Sequence, residues 1–77
     1  MTPDLEIDAR NLLCPLPVLR LRKRMQPLEP GALVEIITTD PAAIVDVPHF
    51  CAESGHEVVS STEAEGETTW HIRKAGS

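Results

Sequence analysis

The chain has no tyrosine, one tryptophan and one phenylalanine. So little aromatic surface offers few platforms on which nucleic-acid bases could stack, and a formal net charge of −5 disfavours general affinity for phosphate backbones. Only two cysteines are present, Cys14 and Cys51, thirty-seven positions apart, which excludes a disulfide framework. No Cys-x-x-Cys pair occurs, so a dithiol oxidoreductase is disfavoured. None of His49, His56 and His71 stands in a Cys–His–Asn or Cys–His–Asp signature, which argues against a hydrolytic cysteine enzyme. Cys14, His49, Cys51 and His56 lack the ligand spacing of familiar zinc sites, so neither metal nor cofactor is expected. Apolar runs are a few residues long and none could cross a bilayer. The N-terminal residues Met1-Thr2-Pro3-Asp4-Leu5-Glu6 carry no secretory signal, so the expected setting is a reducing cytoplasm with both thiols free.

Seventy-seven residues predict a single domain over 1–77. A chain this short buries about 60% of its unfolded surface, enough for one small core between two layers. Charge is unevenly placed. Five of the seven cationic residues, Arg10, Arg20, Arg22, Lys23 and Arg24, lie between positions 10 and 24, and no Asp or Glu falls between Asp8 and Glu29. The remainder is strongly acidic. Such asymmetry predicts a local docking surface. On the helix that follows Cys14, the cluster Arg20, Lys23 and Arg24 reads equally as an ordinary solvated face or as a docking patch for an acidic partner.

Leu5-Glu6-Ile7-Asp8 alternates as a half-buried strand does. A helix is predicted from Pro15 to about Gln26, with Val18, Leu21, Met25 and Leu28 on its apolar stripe. Ala32–Thr39 reads as a central strand, apolar on both faces. Asp40-Pro41 predicts a second helix in the N-cap and N1 pattern, with Ala43, Ile44, Val47, Phe50 and Cys51 inward and Gly55 as its left-handed stop. Pro48 inside it predicts a kink or a break. His56–Thr62 and Glu67–Arg73 follow as strands around a Glu63–Gly66 turn. The order β-α-β-α-β-β predicts an α+β, two-layer sandwich. Both helices should cover one face of a four-stranded mixed sheet, with parallel pairing across each right-handed β-α-β crossover.

In this frame Cys14 stands where the first strand has ended and the first helix begins. Pro15 suits the first helical position, which makes Cys14 the predicted N-cap, with free N–H groups and the positive helix end favouring its thiolate. Arg10 and the basic helix are expected to add positive potential. Pro15 and Pro17 stiffen the turn and reduce the N–H donors competing for the sulfur. The competing reading of Cys14, a small buried hydrophobe, is the commonest fate of a free cysteine. Cys51, on the apolar stripe, reads as core, with a resolving thiol for Cys14 as the alternative. Asp40 reads as a helix cap, Asp46 as surface solvation, His49 as a surface side chain and His56 as a helix-end residue.

Cys14-Pro15-Leu16-Pro17 after Asp8-Ala9-Arg10 resembles the Cys-Pro-x-Pro signature of TusA-like (SirA-type) sulfur-carrier proteins. The resemblance continues through Gly31, Thr38-Thr39-Asp40-Pro41-Ala42, Asp46-Val47-Pro48-His49-Phe50 and Ser54-Gly55-His56-Glu57, and covers nearly the whole chain. Asn11 stands where the family often has glycine; it is the next best residue for positive φ. The resemblance implies the two-layer sandwich already inferred. It also implies that Cys14 carries a persulfide received from a cysteine desulfurase or rhodanese and passed to a relay or acceptor protein. The family serves tRNA thiolation, molybdenum cofactor synthesis and sulfur oxidation. Neither direct nucleic-acid binding nor membrane association is expected. Such a carrier acts with partner enzymes and is not a complete enzyme. Two rival classes are a small RNA-binding or regulatory module and a thiol redox sensor using Cys14 and Cys51.

Overall fold

Alternation in the sequence becomes a sheet in the computed structural model, which describes residues 2–76. The elements are β1 (Leu5–Ala9), α1 (Leu16–Met25), β2 (Leu33–Thr38), α2 (Ala43–Ser54), β3 (Glu57–Ala64) and β4 (Glu67–Arg73). The four strands form one sheet in the order β1-β2-β4-β3. β1 pairs parallel to β2, with Leu5 opposite Val34 and Ala9 opposite Thr38. β4 pairs antiparallel to both β2 and β3. The sheet is mixed and four-stranded, as the element order predicts, and the helices pack together on one of its faces.

The second crossover departs from expectation. β2 and β3 run in the same direction but do not pair, because β4 lies between them. Burial explains the choice. Thr68, Trp70 and Ile72 of β4 are buried, and β2 is buried or half-buried throughout. β3 offers only Val58 and Val59 as half-buried positions, so it suits the solvated edge. β3 runs to Ala64, two residues past its predicted end, β4 keeps its predicted bounds, and a two-residue turn joins them, with Glu65 and Gly66 at φ 54° and 79°. Two successive positive φ angles match the right-handed twist of a hairpin.

The core lies between sheet and helices. Ile7 and Ala9 of β1, Val34 and Ile36 of β2, and Trp70 and Ile72 of β4 meet Leu21 and Met25 of α1 and Ala43, Val47, Phe50 and Cys51 of α2. Ile44, predicted to face inward, is exposed instead, as is Val45. Both stand in the first turn of α2, which begins three residues after Asp40. Asp40 heads a lead-in turn in which Ala43 N–H donates to the Asp40 carbonyl at 3.0 Å and Ile44 N–H to the Pro41 carbonyl at 3.1 Å. The predicted break at Pro48 does not occur, and α2 is continuous from Ala43 to Ser54. The donor that Pro48 lacks would have served the Ile44 carbonyl, in a first turn that the lead-in bonds already hold. Gly55 ends the helix at φ 80° and ψ 7°, the left-handed stop expected.

One polar pair lies inside the core: Trp70 Nε1–H donates to Thr38 Oγ1 at 3.0 Å, tying β4 to β2. Trp70→Phe should therefore destabilise the fold by about 1–3 kcal/mol in urea unfolding, because it leaves a buried hydroxyl without its donor. Adding Thr38→Val should recover part of that loss, and strictly additive losses would show that the pair is not coupled.

Candidate active site around Cys14

Parallel pairing of β1 and β2 sends both chains out at the same sheet edge, so the loops after Ala9 and after Thr38 emerge side by side. Two hydrogen bonds stitch them: Asn11 N–H donates to Thr39 Oγ1 at 2.8 Å, and Cys14 N–H donates to Asp40 Oδ2 at 2.6 Å. Asn11 adopts φ 65°, which fits its stand-in for glycine. Asp40 Oδ1 accepts from Ala42 N–H at 3.0 Å, so one carboxylate holds the Cys14 loop and its own turn together. The two N–H donors keep the Asp40 carboxyl below its ordinary range, Cys14 N–H contributing most.

α1 starts one residue later than predicted. Pro15 occupies the N-cap position at φ −97° and ψ 15°, and the Cys14–Pro15 peptide bond is cis. Cys14 therefore stands outside the cap. The helix end also has few N–H groups to offer a sulfur. Leu16 N–H is taken by the Leu13 carbonyl at 2.8 Å, and Pro17 has none. The Cys14 side chain is exposed, and its thiol turns towards α2, donating to Asp46 Oδ2.

This reverses the predicted electrostatics. The hydrogen bond to Asp46 pushes the Cys14 thiol above its ordinary range, with smaller contributions from partial desolvation and from the negative charges of Asp46 and Asp40. Arg10, expected to support the thiolate, is engaged elsewhere. Its Nε and Nη2 donate to Asp8 at 3.0 and 3.1 Å, and its Nη1 lies 3.8 Å from Glu67. It holds the Asp8 carboxyl down to about 2. Arg20, Lys23 and Arg24 line one surface groove of α1 together with Leu12, Leu16 and Leu19. The cation beside Cys14 is Arg22, which shares a hollow with Cys14, Val18, Asp46, His49 and Phe50 and lies 5.5 Å over the Phe50 ring.

The fold thus brings Cys14 together with Asp40, Asp46 and Arg22, of which Asp46 was read as mere solvation and Arg22 was not singled out. His49 pairs with Glu53 at 3.1 Å on the exposed side of α2. His56 Nδ1 accepts from Ala75 N–H at 2.9 Å, a structural role at the helix end. Cys51 is 1% exposed in the core, and burial pushes its thiol to about 11. Among the described residues, no group of three or more His, Cys, Asp or Glu side chains converges as a metal site would require. Among the described residues, the large exposed apolar side chains are Leu13, Leu16, Leu19, Ile44 and Val45, all from the segments that bracket Cys14 and Asp46.

The sequence profile of the family described as Sulfurtransferase TusA matches residues 5–74. The chain belongs to the TusA family. A relative in Pseudomonas syringae pv. syringae (strain B728a), named Sulfur carrier protein TusA, is 42% identical over 74 residues, covering 96% of this chain and 88% of the relative. Another of the same name in Pseudomonas putida (strain GB-1) is 41% identical over 73 residues, covering 95% and 91%. The crystal structure of a SirA-like protein from Desulfitobacterium hafniense superposes with a TM-score of 0.81 at 25% identity, covering 95% of this chain and 99% of that one. The sandwich described above is therefore the fold of a solved SirA-like protein.

Access, more than acidity, separates the two thiols of this TusA-family chain. Iodoacetamide applied to the native protein near neutral pH should alkylate Cys14 and spare Cys51 until denaturant is added. Peptide mass mapping reads the outcome, and equal labelling of both cysteines would show that Cys51 is accessible.

Proposed function

We infer that this protein is a sulfur carrier that takes sulfane sulfur onto Cys14 as a persulfide and hands it to an acceptor. The observation that carries the reading is the exposed Cys14 of the Cys-Pro-x-Pro loop, rimmed by exposed apolar side chains, in a chain of a family whose relatives are named as sulfur carriers. A carrier needs its sulfur out at a loop where a second protein can reach it. The apolar rim supplies a surface that such a protein would cover.

Loading is thiol–persulfide exchange. The Cys14 sulfur attacks the terminal sulfur of a donor persulfide, the new sulfur–sulfur bond forms as the donor's breaks, and the donor leaves as a thiol. Unloading repeats the exchange with an acceptor thiol or enzyme. Among the described residues nothing beside Cys14 could generate sulfane sulfur, so the donor is a separate protein, in this reading a cysteine desulfurase or a rhodanese. The acceptor belongs to tRNA thiolation, molybdenum cofactor synthesis or sulfur oxidation. Arg20, Lys23 and Arg24 give the partner-facing helix a positive stripe beside the apolar Leu16 and Leu19, suited to an acidic partner rim. Pro15 and Pro17 fix the turn that presents Cys14. A reducing cytoplasm suits a free exposed thiol. No helix of the described residues is long and apolar enough to cross a membrane.

Incubation with a cysteine desulfurase and cysteine should add about 32 Da, one sulfur atom, to Cys14 of the intact chain, and a reductant should remove it. Cys14→Ser should fold as the parent does and gain no mass. A labelled Cys14→Ser protein would place the carrier function elsewhere.

A further inference from the structure

A nucleophilic sulfur is ordinarily flanked by cations that favour its thiolate. In this chain its hydrogen-bond partner is a carboxylate. The Cys14 thiol donates to Asp46 Oδ2, and Asp40 holds the Cys14 backbone N–H at 2.6 Å. The groups around the sulfur can be named from each side. Arg22 comes from α1, Asp40 from the turn before α2, and Asp46, His49 and Glu53 from α2. Of these, Arg22 lies over the Phe50 ring and His49 is paired to Glu53 at 3.1 Å. Neither replaces Asp46 as the partner of the sulfur.

We propose that Asp46 is a specificity-determining residue for sulfur transfer: it holds Cys14 as a quiet thiol in the free protein and makes transfer favour partners that bring a cation to this carboxylate. The inference rests on the carrier reading for its biological setting, but its physical core, the coupling of Asp46 to the Cys14 proton, does not. A thiolate next to an ionised carboxylate repels it, so the thiol keeps its proton. A basic side chain or ammonium group arriving with the donor pairs with Asp46, removes that repulsion and frees the thiolate to attack. The Cys14 sulfur supplies the electron pair of the new sulfur–sulfur bond. The donor's sulfur–sulfur bond breaks, with its electron pair leaving on the donor sulfur. The proton lost by Cys14 passes through solvent to that sulfur. Cys14 is oxidised to the persulfide level and the donor persulfide is reduced to a thiol, so no other oxidant is needed.

The test uses the full chain, its Asp46→Asn variant, and Glu63→Gln on the edge strand as a charge control. The rate of Cys14 alkylation by iodoacetamide is followed against pH. In Asp46→Asn the midpoint should fall by about one unit, making alkylation near pH 7 about tenfold faster, since each unit is a factor of ten in thiolate. Glu63→Gln should leave the midpoint in place, and Asp46→Glu should restore most of it. Loading is then measured with two small donors, the anionic glutathione persulfide and the cationic cysteamine persulfide. The parent should favour the cationic donor, and Asp46→Asn should lose that preference. An unchanged midpoint, or an equal donor preference in parent and variant, overturns the proposal. A shifted midpoint with no loading from either donor would leave the Asp46 coupling standing and count against the carrier reading instead. If Asp46→Asn does not fold, Asp46→Ser carries the same comparison, and the parent's own donor preference still tests the claim.

Discussion

The parallel pairing of β1 with β2 is the constraint on which the rest of the site depends. Parallel neighbours must end at the same edge, so the loop carrying Cys14 and the loop carrying Asp40 leave the sheet together. Two free loops there would leave the thiol position undefined. Thr39 and Asp40 prevent this by accepting N–H bonds from Asn11 and Cys14. Because both Asp40 oxygens are used, one on each loop, the start of α2 is fixed relative to the end of β1. Asp46 then lies in the first turn of α2, within reach of the thiol.

Much of the fold was legible because it rests on local periodicity. Alternation marks β1 and β4, and the apolar run marks β2. Gly55 marks the end of α2, and the stripe position of Cys51 marks it as core. What escaped depends on non-local pairing. That β4 would slide between β2 and β3 could be sensed only from the poverty of apolar residues in β3. The N-cap shift at Pro15 and the late start of α2 arise from i→i+3 bonds in the lead-in turns, which compete with the N-cap geometry that Cys14-Pro15 and Asp40-Pro41 suggest.

The candidate site was legible in its exposed cysteine and not in that cysteine's neighbours. Cys14 stood out through its place before two prolines. Its partner Asp46 is thirty-two positions away, and no spacing rule connects them. The signal that existed was indirect. If two β-α units are parallel neighbours, the first turn of each helix faces the other's loop, and an acid in the first turn of α2 is a candidate neighbour of Cys14. Arg10 shows the opposite error. Closeness in sequence suggested that it would serve Cys14, but Asp8 and Glu67 bind it first.

The two cysteines show why acidity alone is a poor guide to reactivity. Both thiols are pushed up, yet from different causes. For Cys51 the cause is burial among apolar side chains, and no partner can relieve it without opening the core. For Cys14 the leading cause is a hydrogen bond to one half-buried carboxylate at the surface, which any well-placed cation can compete for. The first kind of perturbation is permanent and the second is conditional. A carrier that must stay unreactive in transit and become reactive on docking requires the conditional kind, at an exposed loop. Leu13 and Leu16, beside Cys14 in the chain, and Ile44 and Val45, just before Asp46, give this part of the surface an exposed apolar rim. Covering that rim removes water from around Asp46, which strengthens its pairing with an incoming cation. Apolar contact and charge neutralisation therefore act at the same place and reinforce each other, which couples recognition of a partner to release of the thiolate.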